Sequence, residues 1–206
     1  CLGYKGEMIK EYFVNYEWRS SDVTVEIGKS KLSFLTPNTE KGWKVTLADT
    51  GLDAMTGARI KRIEKYIIGK TFMLTYGDGV ADIDLRALLR FHKNHGKIAT
   101  VTGVHPPSRF GELRVARERA TVFSEKPQVS EGFINGGFFV LNKEVFDYVT
   151  DDDACVFERE PMESLARDGQ LMVFRHTGYW QCMDTMRDLE NLNEVWVSGQ
   201  APWKIW

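Results

Sequence analysis

The spacing of apolar residues along the chain predicts strands that alternate with helices. Two short apolar and β-branched runs, at 72–76 and 97–104, are typical of buried strands. Between them the segment 85–95 carries leucines at helical spacing, and Gly96 is placed to end that helix. This alternation favours an α/β fold with a mostly parallel sheet whose two faces are covered by helices.

The rest of the chain extends the same alternation. Thr185 and Asp188 have the spacing of a capping box, which predicts that the last helix begins there. We interpret residues 1–206 as one domain, with 185–206 as its C-terminal helix and tail, and the stretch 28–43 as polar and turn-rich. Further strands are expected near 23–27, 44–48, 133–142 and 171–176, further helices near 7–16, 60–67 and 161–167, and a hairpin across 111–127.

Composition and charge limit the classes of partner. Apolar residues make up 43% of the chain and charged residues 27%, and the net charge of −2 gives no basic footprint for nucleic acid. No apolar run is long enough for a membrane span, so we expect no membrane partner. The three cysteines, Cys1, Cys155 and Cys182, lie far apart, which favours a reducing cytoplasm. Because the chain opens with Cys1 inside a strand-to-helix pattern, we expect sequence upstream of it to be missing.

An aspartate between two glycines follows the apolar run at 72–76. In open α/β sheets, ligands bind beyond the carboxyl ends of the strands, and Asp78 is expected at such an end. Gly77 and Gly79 would let a ligand approach the backbone and would accept unusual dihedral angles. A carboxylate there can hold Mg²⁺, which completes its shell with phosphate oxygens. A plain Gly-Asp-Gly turn that caps the next helix is the alternative.

A second aspartate, Asp184, follows an apolar strand and an aromatic loop. A helix N-terminus favours an acidic residue, so a helix-start role is possible for it. Because Thr185 already supplies the cap, Asp184 is available for other work. Two strand-end aspartates that are distant in sequence, Asp78 and Asp184, can converge on one metal ion.

Two further motifs suit a sugar phosphate. Lys126 follows a strand in "FSEKP" and offers a point charge for a phosphate, and Glu125 can accept hydrogen bonds from sugar hydroxyls. A surface charge pair at a strand end is the commoner explanation of such a sequence. Asn135 and Gly136 open "NGGFFV", where an amide and two glycines would permit close approach to a sugar ring.

These motifs occur in a characteristic order. "YGD", "EKP", "INGGFFV" and "W-x-x-MDT" together resemble the sugar-1-phosphate nucleotidylyltransferases, and "GYKGEMIKEYF", "VTLADTG", "MTGARIKRI", "FHKNHGK" and "APWKIW" extend the likeness over the whole chain. The resemblance implies a Rossmann-like, mixed sheet flanked by helices. It also implies Mg²⁺-dependent transfer of a cytidylyl group from CTP to glucose 1-phosphate, which gives CDP-glucose for bacterial surface sugars and releases pyrophosphate.

The resemblance also assigns roles to single residues. Asp78 and Asp184 would hold the metal, and Lys126 would grip the phosphate of the sugar phosphate. The residues expected to contact the sugar are Gly111, Glu125, Asn135 and Gly136. Those expected on the nucleotide side are Gly3, Tyr4, Lys5, Thr50, Gly51, Gly57, Tyr76 and Gly77.

One hallmark of that family is missing from the 206 residues. The family opens with a strand and a glycine-rich loop, L-A-G-G-x-G-T-R-L, whose backbone N–H groups wrap the triphosphate. We therefore expect the chain as given to be truncated and its turnover to be impaired. The apolar ending "VWVSGQAPWKIW" and the exposed edges of an incomplete sheet favour a homo-oligomer.

Two other functions compete with this interpretation. Asp82 and Asp84 form a D-x-D pattern, which is found at the metal site of sugar-nucleotide glycosyltransferases, although the start of a helix also favours acids at these positions. A non-catalytic remnant that serves in binding or oligomerisation is the third hypothesis. His92 and His95 have a spacing near that of a metal pair, but we assign them to an amphipathic helix because no third ligand is evident.

Overall fold

The structure is a computed structural model that describes residues 1–36, 40, 42–106, 112–116, 119–124 and 132–205. The chain divides into two compact units. The first unit comprises Cys1–Ile67 and Val149–Pro161, and the second comprises Ile68–Tyr148 and Met162–Trp206. The interpretation of the whole chain as one domain stays a prediction beside this division.

The first unit is built from short elements. Its helices and strands are α1 (Gly6–Val14), α2 (Tyr16–Ser20), β1 (Val23–Glu26), β2 (Lys31–Phe34) and α3 (Thr56–Arg62), followed by a 3₁₀ turn at Glu64–Tyr66. β1 and β2 form an antiparallel hairpin. The N-terminal segment pairs through one parallel bridge, Leu2 with Asp49, in which Leu2 N donates to Ala48 O at 2.8 Å and Thr50 N donates to Leu2 O at 2.9 Å.

Two predictions for this unit were wrong, one of a strand and one of a turn-rich stretch. The strand expected near 44–48 does not form, because Leu2 is the one described residue that pairs there and a single bridge does not make a ladder. The stretch 28–43, interpreted as turn-rich, contains β2, which pairs locally with β1. The helix bounds differ as well. The expected helix 7–16 breaks at Asn15, and the helix expected near 60–67 begins earlier, at Thr56, and ends at Arg62 before a 3₁₀ turn.

The second unit contains the main sheet. Its elements are β3 (Thr71–Thr75), β4 (Gly79–Ala81), α4 (Leu85–His95), β5 (Ala99–Val104), β6 (Glu112–Ala116), β7 (Arg119–Ser124), β8 (Ile134–Asn142), a 3₁₀ helix (Lys143–Asp147), most of α5 (Glu160–Arg167), β9 (Leu171–His176), β10 (Trp180–Cys182) and α6 (Met186–Val197). The predicted strands at 72–76, 97–104, 133–142 and 171–176 and the predicted hairpin are thereby confirmed. Helix α6 begins after Thr185, whose capping box with Asp188 is present as expected.

The four-stranded sheet has the order β3-β8-β5-β9. β8 runs antiparallel to both β3 and β5, and β9 runs parallel to β5. β3, β5 and β9 therefore point the same way, which confirms a mixed, mostly parallel α/β sheet. The carboxyl ends of these three strands and the beginning of β8 consequently lie at one edge of the sheet.

The core of this unit follows from its most apolar strands. All six residues of β5 are buried, as expected of a strand that is covered on both faces. Helix α4 packs Leu88 into a cluster with Ile83 and Val140. The helix begins at Asp84, whose Oδ1 accepts from Ala87 N at 2.9 Å, and ends at Gly96 in the left-handed conformation, as predicted. Within the described residues, no helix has both the length and the apolar character needed to cross a membrane.

Candidate active site

The two predicted metal aspartates are brought together by a small antiparallel ribbon, formed by β4 and β10. Asp78 directly precedes β4, and Cys182 at the end of β10 lies opposite Gly79. The ladder continues one step further, since Met183 N donates to Asp78 O at 2.8 Å. Asp184 follows immediately. Both carboxylates are exposed and line the same cavity, whose volume is about 190 Å³.

The same cavity collects other predicted residues. Tyr76, Asn135 and Gly136 line this cavity, and Gly77 follows Tyr76 in the chain. Two further aromatic residues, Phe138 and Trp180, also line it. The cavity thus combines two carboxylates with aromatic surfaces, an arrangement typical of small-molecule sites.

Asn135 is held in a defined orientation. Its Oδ1 accepts from Gly137 N at 2.8 Å, and its Nδ2 donates to Tyr76 Oη at 3.4 Å. The side chain is exposed, so Nδ2 can also donate to a ligand. The amide oxygen is already used by the turn, and Asn135 therefore serves a ligand mainly as a donor.

The glycines of "NGG" are required by packing. A Cβ on Gly136 would come within 2.7 Å of Val104 Cγ1 and 3.0 Å of Thr102 O. Gly136 O also accepts from Trp180 Nε1 at 2.8 Å. Gly137 has φ of +77°, and a Cβ there would come within 2.8 Å of the Tyr76 ring. The fold therefore explains both glycines without a ligand.

Gly77 and Gly79 behave differently, and one expectation about them was wrong. Neither residue has the positive φ that favours glycine. A Cβ on Gly77 would meet open space, and one on Gly79 would have only an ordinary contact with Trp180 Nε1 at 3.8 Å. Backbone strain thus does not account for these two glycines, which leaves close approach of a ligand as the reason we retain.

Cys182 is a neighbour of Asp184 that the sequence analysis did not single out. Its Sγ donates to Asp184 Oδ2 at 3.1 Å. Burial, followed by the hydrogen bond to Asp184, raises the pKa of the Cys182 thiol to about 11. The thiol is therefore protonated at neutral pH and acts as a donor that orients the carboxylate.

The donor set fits a magnesium ion with an incomplete protein shell. Among the described residues, no group of three His, Cys, Asp or Glu side chains is arranged to hold a metal. Asp78 and Asp184 supply two carboxylates on one cavity, and Mg²⁺ commonly takes one or two carboxylates and fills its remaining positions with water and substrate phosphates. The residues present are compatible with such an ion.

Three predicted ligand residues, Gly111, Glu125 and Lys126, lie outside the described residues.

The nucleotide-side residues of the first unit surround two arginines that the sequence analysis missed. Thr50 is buried, and its Oγ1 donates to Leu2 O at 2.8 Å. Arg59 Nη1 donates to Leu2 O and to Thr50 Oγ1, each at 3.0 Å. Arg62 donates to Thr50 O at 2.7 Å and pairs with Asp153 at 2.8 Å. The two guanidinium groups thereby fix the backbone around Thr50.

Local packing accounts for the glycines of this region. A Cβ on Gly3 would overlap the Arg59 guanidinium, and one on Gly51, where φ is +98°, would come within 2.6 Å of Arg62 Nη1. Gly57 N donates to Cys155 O at 2.9 Å, and a Cβ on Gly57 would lie 2.9 Å from the same oxygen.

Tyr4 and Lys5 are the exposed members of the nucleotide-side set. The Lys5 ammonium lies 5.4 Å from the centroid of the Tyr4 ring, and Lys5 adopts a left-handed φ of +55°. These two side chains are therefore accessible to a ligand.

The residues of the two alternative metal motifs, the D-x-D pattern and the histidine pair, are engaged in contacts within the fold. Asp84 caps α4 as expected, whereas Asp82 lies with its Oδ1 2.9 Å from His176 Nε2 and so does not serve the helix start. The D-x-D pattern is thus divided between a helix cap and a contact with His176. His92 Nδ1 and His95 Nε2 both bind Thr100 Oγ1, at 2.9 Å and 2.7 Å, in agreement with their assignment to an amphipathic helix.

Known proteins resemble this chain over its whole length. Residues 41–195 match the family model described as nucleotidyl transferase. The glucose-1-phosphate cytidylyltransferase of Salmonella typhimurium is 49% identical over 207 residues, which cover all of this chain and 80% of that protein. The probable glucose-1-phosphate cytidylyltransferase of Bacillus subtilis is 47% identical, with the same coverage. A crystal structure of HddC from Yersinia pseudotuberculosis complexed with GMP-PN shares the fold, with 20% identity, a TM-score of 0.54 and coverage of 95% of this chain and 76% of that one.

Proposed function

Since the chain belongs to the nucleotidyl transferase family, we propose that it transfers the cytidylyl group of CTP to glucose 1-phosphate and releases pyrophosphate. The identity of 49% across the whole chain to a relative named for that reaction carries the proposal. The convergence of Asp78 and Asp184 on one cavity supports it, because a phosphoryl-transfer site needs concentrated charge and exact placement more than a covalent nucleophile.

The reaction is an in-line displacement. A phosphate oxygen of glucose 1-phosphate forms a bond to the α-phosphorus of CTP, and the bond from that phosphorus to the bridging oxygen of pyrophosphate breaks. CDP-glucose and pyrophosphate are the products. The protein's task is to align the two phosphates and to offset the negative charge that crowds around them.

Asp78 and Asp184 are the residues that would hold a magnesium ion. Such an ion, when bound, would neutralise phosphate charge and orient the phosphate oxygens. The Cys182 thiol donates to Asp184 Oδ2 and restricts the orientation of that carboxylate. Its high pKa keeps this donor in place across the neutral range.

The sugar would lie against the residues that begin β8. Asn135 presents Nδ2 as a donor at the rim of the cavity, and the Tyr76 ring beside it offers an apolar face. Glu125, Gly111 and Lys126 complete the proposed sugar-phosphate set through the family resemblance.

The family resemblance assigns nucleotide contacts to residues in each of the two units. Tyr76 and Gly77 belong to the cavity region of the second unit, and the open space around Gly77 suits close approach of a ligand. The other members, Gly3, Tyr4, Lys5, Thr50, Gly51 and Gly57, belong to the first unit. Arg59 and Arg62 hold the backbone around Thr50, which gives these loops the fixed hydrogen-bonding groups that base selection requires.

We also propose that the protein works as a homo-oligomer in the cytoplasm. The C-terminal segment exposes large apolar side chains, among them Trp196 at 48%, Val197 at 84% and Ile205 at 60%. Such a patch favours contact with a second copy. All three cysteines are free thiols, which suits a reducing compartment. Sedimentation velocity of the wild-type protein and of Trp196→Ser tests the oligomer: loss of the larger species in the variant alone is expected.

Pyrophosphate release tests the reaction. The chain as given is assayed with Mg²⁺, CTP and glucose 1-phosphate beside a version that carries the family's glycine-rich loop upstream of Cys1, because that loop cradles the triphosphate. We expect release from the extended version with CTP, and much less from the shorter chain or with UTP. Hydrolysis or transfer from CDP-glucose without pyrophosphate exchange would instead identify a glycosyltransferase. Binding of CTP without any release would identify a non-catalytic remnant.

A further inference from the structure

The β4–β10 ribbon has two functionally different ends. At one end it carries Asp78 and Asp184 on the cavity. At the other end Ala81 lies opposite Trp180, and Asp82 N continues the ladder by donating to Tyr179 O at 3.2 Å. The two ends are separated by about four residues, or roughly 13 Å of extended chain. A group that fixes the far end therefore influences where the aspartates lie.

Asp82 and His176 form such a group. Asp82 Oδ1 lies 2.9 Å from His176 Nε2, and the two side chains are 31% and 11% exposed. Asp82 Oδ1 is buried and makes no conventional hydrogen bond within the described part of the chain, so the imidazole is the polar group that balances it. His176 Nε2 also lies 3.2 Å from Tyr179 O, the same carbonyl that receives Asp82 N.

This pair connects the ribbon to the main sheet. His176 is the last residue of β9, where it lies opposite Val104 of β5. Three residues then lead from His176 to β10. One of them, Gly178, leaves room for the pair, because a Cβ there would overlap the Asp82 carboxylate and come within 2.7 Å of His176 Cε1. The side chains, the connecting loop and the sheet edge are thus packed as one arrangement.

We propose that Asp82 and His176 are a positioning pair, which fixes the β4–β10 ribbon on strand β9 and thereby sets the spacing of Asp78 and Asp184. The pair touches no ligand and acts through the ribbon backbone. The inference deepens the proposed function, on which its catalytic consequence rests. Groups that hydrogen-bond directly to metal ligands typically change metal affinity or activity by 10–100-fold when they are removed, and this more distant pair is expected at the lower end of that range.

Direct binding of Mn²⁺ provides a readout that does not depend on turnover. Free Mn²⁺ is measured by electron paramagnetic resonance during titration of the full protein, with the metal alone as the probe. Because the aspartate spacing would relax, His176→Ala and Asp82→Ala should each weaken Mn²⁺ binding by roughly tenfold. His176→Gln keeps an N–H near the position of Nε2 and should retain most of the affinity. In the version that carries the glycine-rich loop, the Mg²⁺ concentration at half-maximal rate should rise in both alanine variants and change little in His176→Gln. KM for glucose 1-phosphate should change little in all three variants.

The control separates positioning from simple stabilisation. His92→Ala removes an imidazole that is 2% exposed in the same unit, and it should lower Tm without changing Mn²⁺ affinity. If either alanine variant fails to fold, Asp82→Asn, which keeps the shape and loses the charge, takes its place. Wild-type Mn²⁺ affinity in folded variants with a lowered Tm would overturn the proposal, as would a His176→Gln variant as weak as His176→Ala. Mn²⁺ binding that depends on the pair, without pyrophosphate release from the version that carries the glycine-rich loop, would uphold this inference and reject the proposed reaction.

Discussion

The two units of the chain place their candidate ligand residues by different physical means. In the second unit, strand register carries Asp78 and Asp184 to one cavity, and the fully buried strand β5 anchors the sheet. In the first unit the described loops are joined by one strand bridge and by hydrogen bonds from Arg59 and Arg62 to backbone carbonyls. A ladder fixes many groups at once, whereas each arginine fixes the few carbonyls that it reaches.

The buried parts of the two units differ in the same sense. The buried apolar residues of the first unit include Ala48, Ala54 and Ala58, whose small side chains offer little surface for packing. The second unit keeps Phe139, Val140 and Leu141 of β8 fully buried. We infer that the position of the aspartates is robust to surface changes, while the loops around Thr50 depend on a few side chains. Four predictions test this contrast.

The largest effect is expected at the aspartates. In the version that carries the family's glycine-rich loop, Asp78→Asn and Asp184→Asn should each lower kcat by roughly 10²–10³, because each removes a charge from the group that would offset phosphate charge. Tm should change little, since both side chains are exposed and the ladder is made by the backbone. Pyrophosphate release and thermal unfolding of the same samples give both quantities.

Asp84→Asn is the matched control for these variants. Asp84 is also exposed in the second unit, and asparagine preserves its cap on α4. Its turnover should equal that of the wild type. Equal losses in all three variants, or undiminished turnover in Asp78→Asn, would remove the aspartates from the mechanism.

The sequence was most informative where one local signal agreed with the global fold. Strands β5 and β9 and helix α4 were predicted closely because apolar runs, an N-cap at Asp84 and a stop at Gly96 all agree there. The convergence of Asp78 and Asp184 could be expected because each follows an apolar strand. The contact of Asp82 with His176 could not, because residues 94 positions apart meet only through strand pairing that no local pattern encodes.

The first unit was harder to predict for a related reason. Its β-branched stretch at 44–48 has the pattern of a strand, yet Leu2 is the described residue that pairs there. Arg59 and Arg62 were overlooked because a basic helix face usually indicates solvent exposure, whereas here both side chains turn to loop carbonyls. A local pattern shows that a segment can form a strand or an exposed helix face, but the structure it adopts depends on which partner residues are available.

Variants at Gly136 and Gly77 distinguish a glycine that the packing of the second unit requires from one that leaves room for a ligand. Gly136→Ala should destabilise the protein by about 1–3 kcal/mol, because its Cβ would press on Val104 and on Thr102 O. Gly77→Ala should leave stability unchanged, since the added methyl meets open space, and should raise KM if a ligand approaches there. Urea unfolding and steady-state kinetics measure the two effects. A stable Gly136→Ala protein would show that the sheet edge relaxes easily.

Arg62 tests the first unit alone. Arg62→Ala removes hydrogen bonds to Thr50 O and Asp151 O and the ion pair with Asp153, and it should destabilise this unit by roughly 1.5–3 kcal/mol. Hydrogen exchange should rise in 1–67 and 149–161, while the amides of β5 and β8 keep their protection. Lys10→Ala, in exposed α1, is the surface control and should change neither region. Faster exchange throughout both units would show that they unfold together.

The smallest effect is expected from pH, and it belongs to the second unit, which contains all four histidines. Burial lowers the pKa of His92, and burial followed by repulsion from His92 and Lys97 lowers the pKa of His95. In the unfolded chain both would titrate near 6.5. Below pH 6.5 the unfolded state therefore binds more protons at these two residues than the folded state does. As a result, the free energy of unfolding falls as the pH decreases from 6.5 toward the folded pKa values, and these groups do not affect it above pH 6.5.

The urea midpoint at pH 5.5 should lie below that at pH 7.5. His95→Gln, which keeps a polar contact for Thr100 without a titrating ring, should reduce the difference, and an unchanged difference would assign the acid sensitivity to other groups.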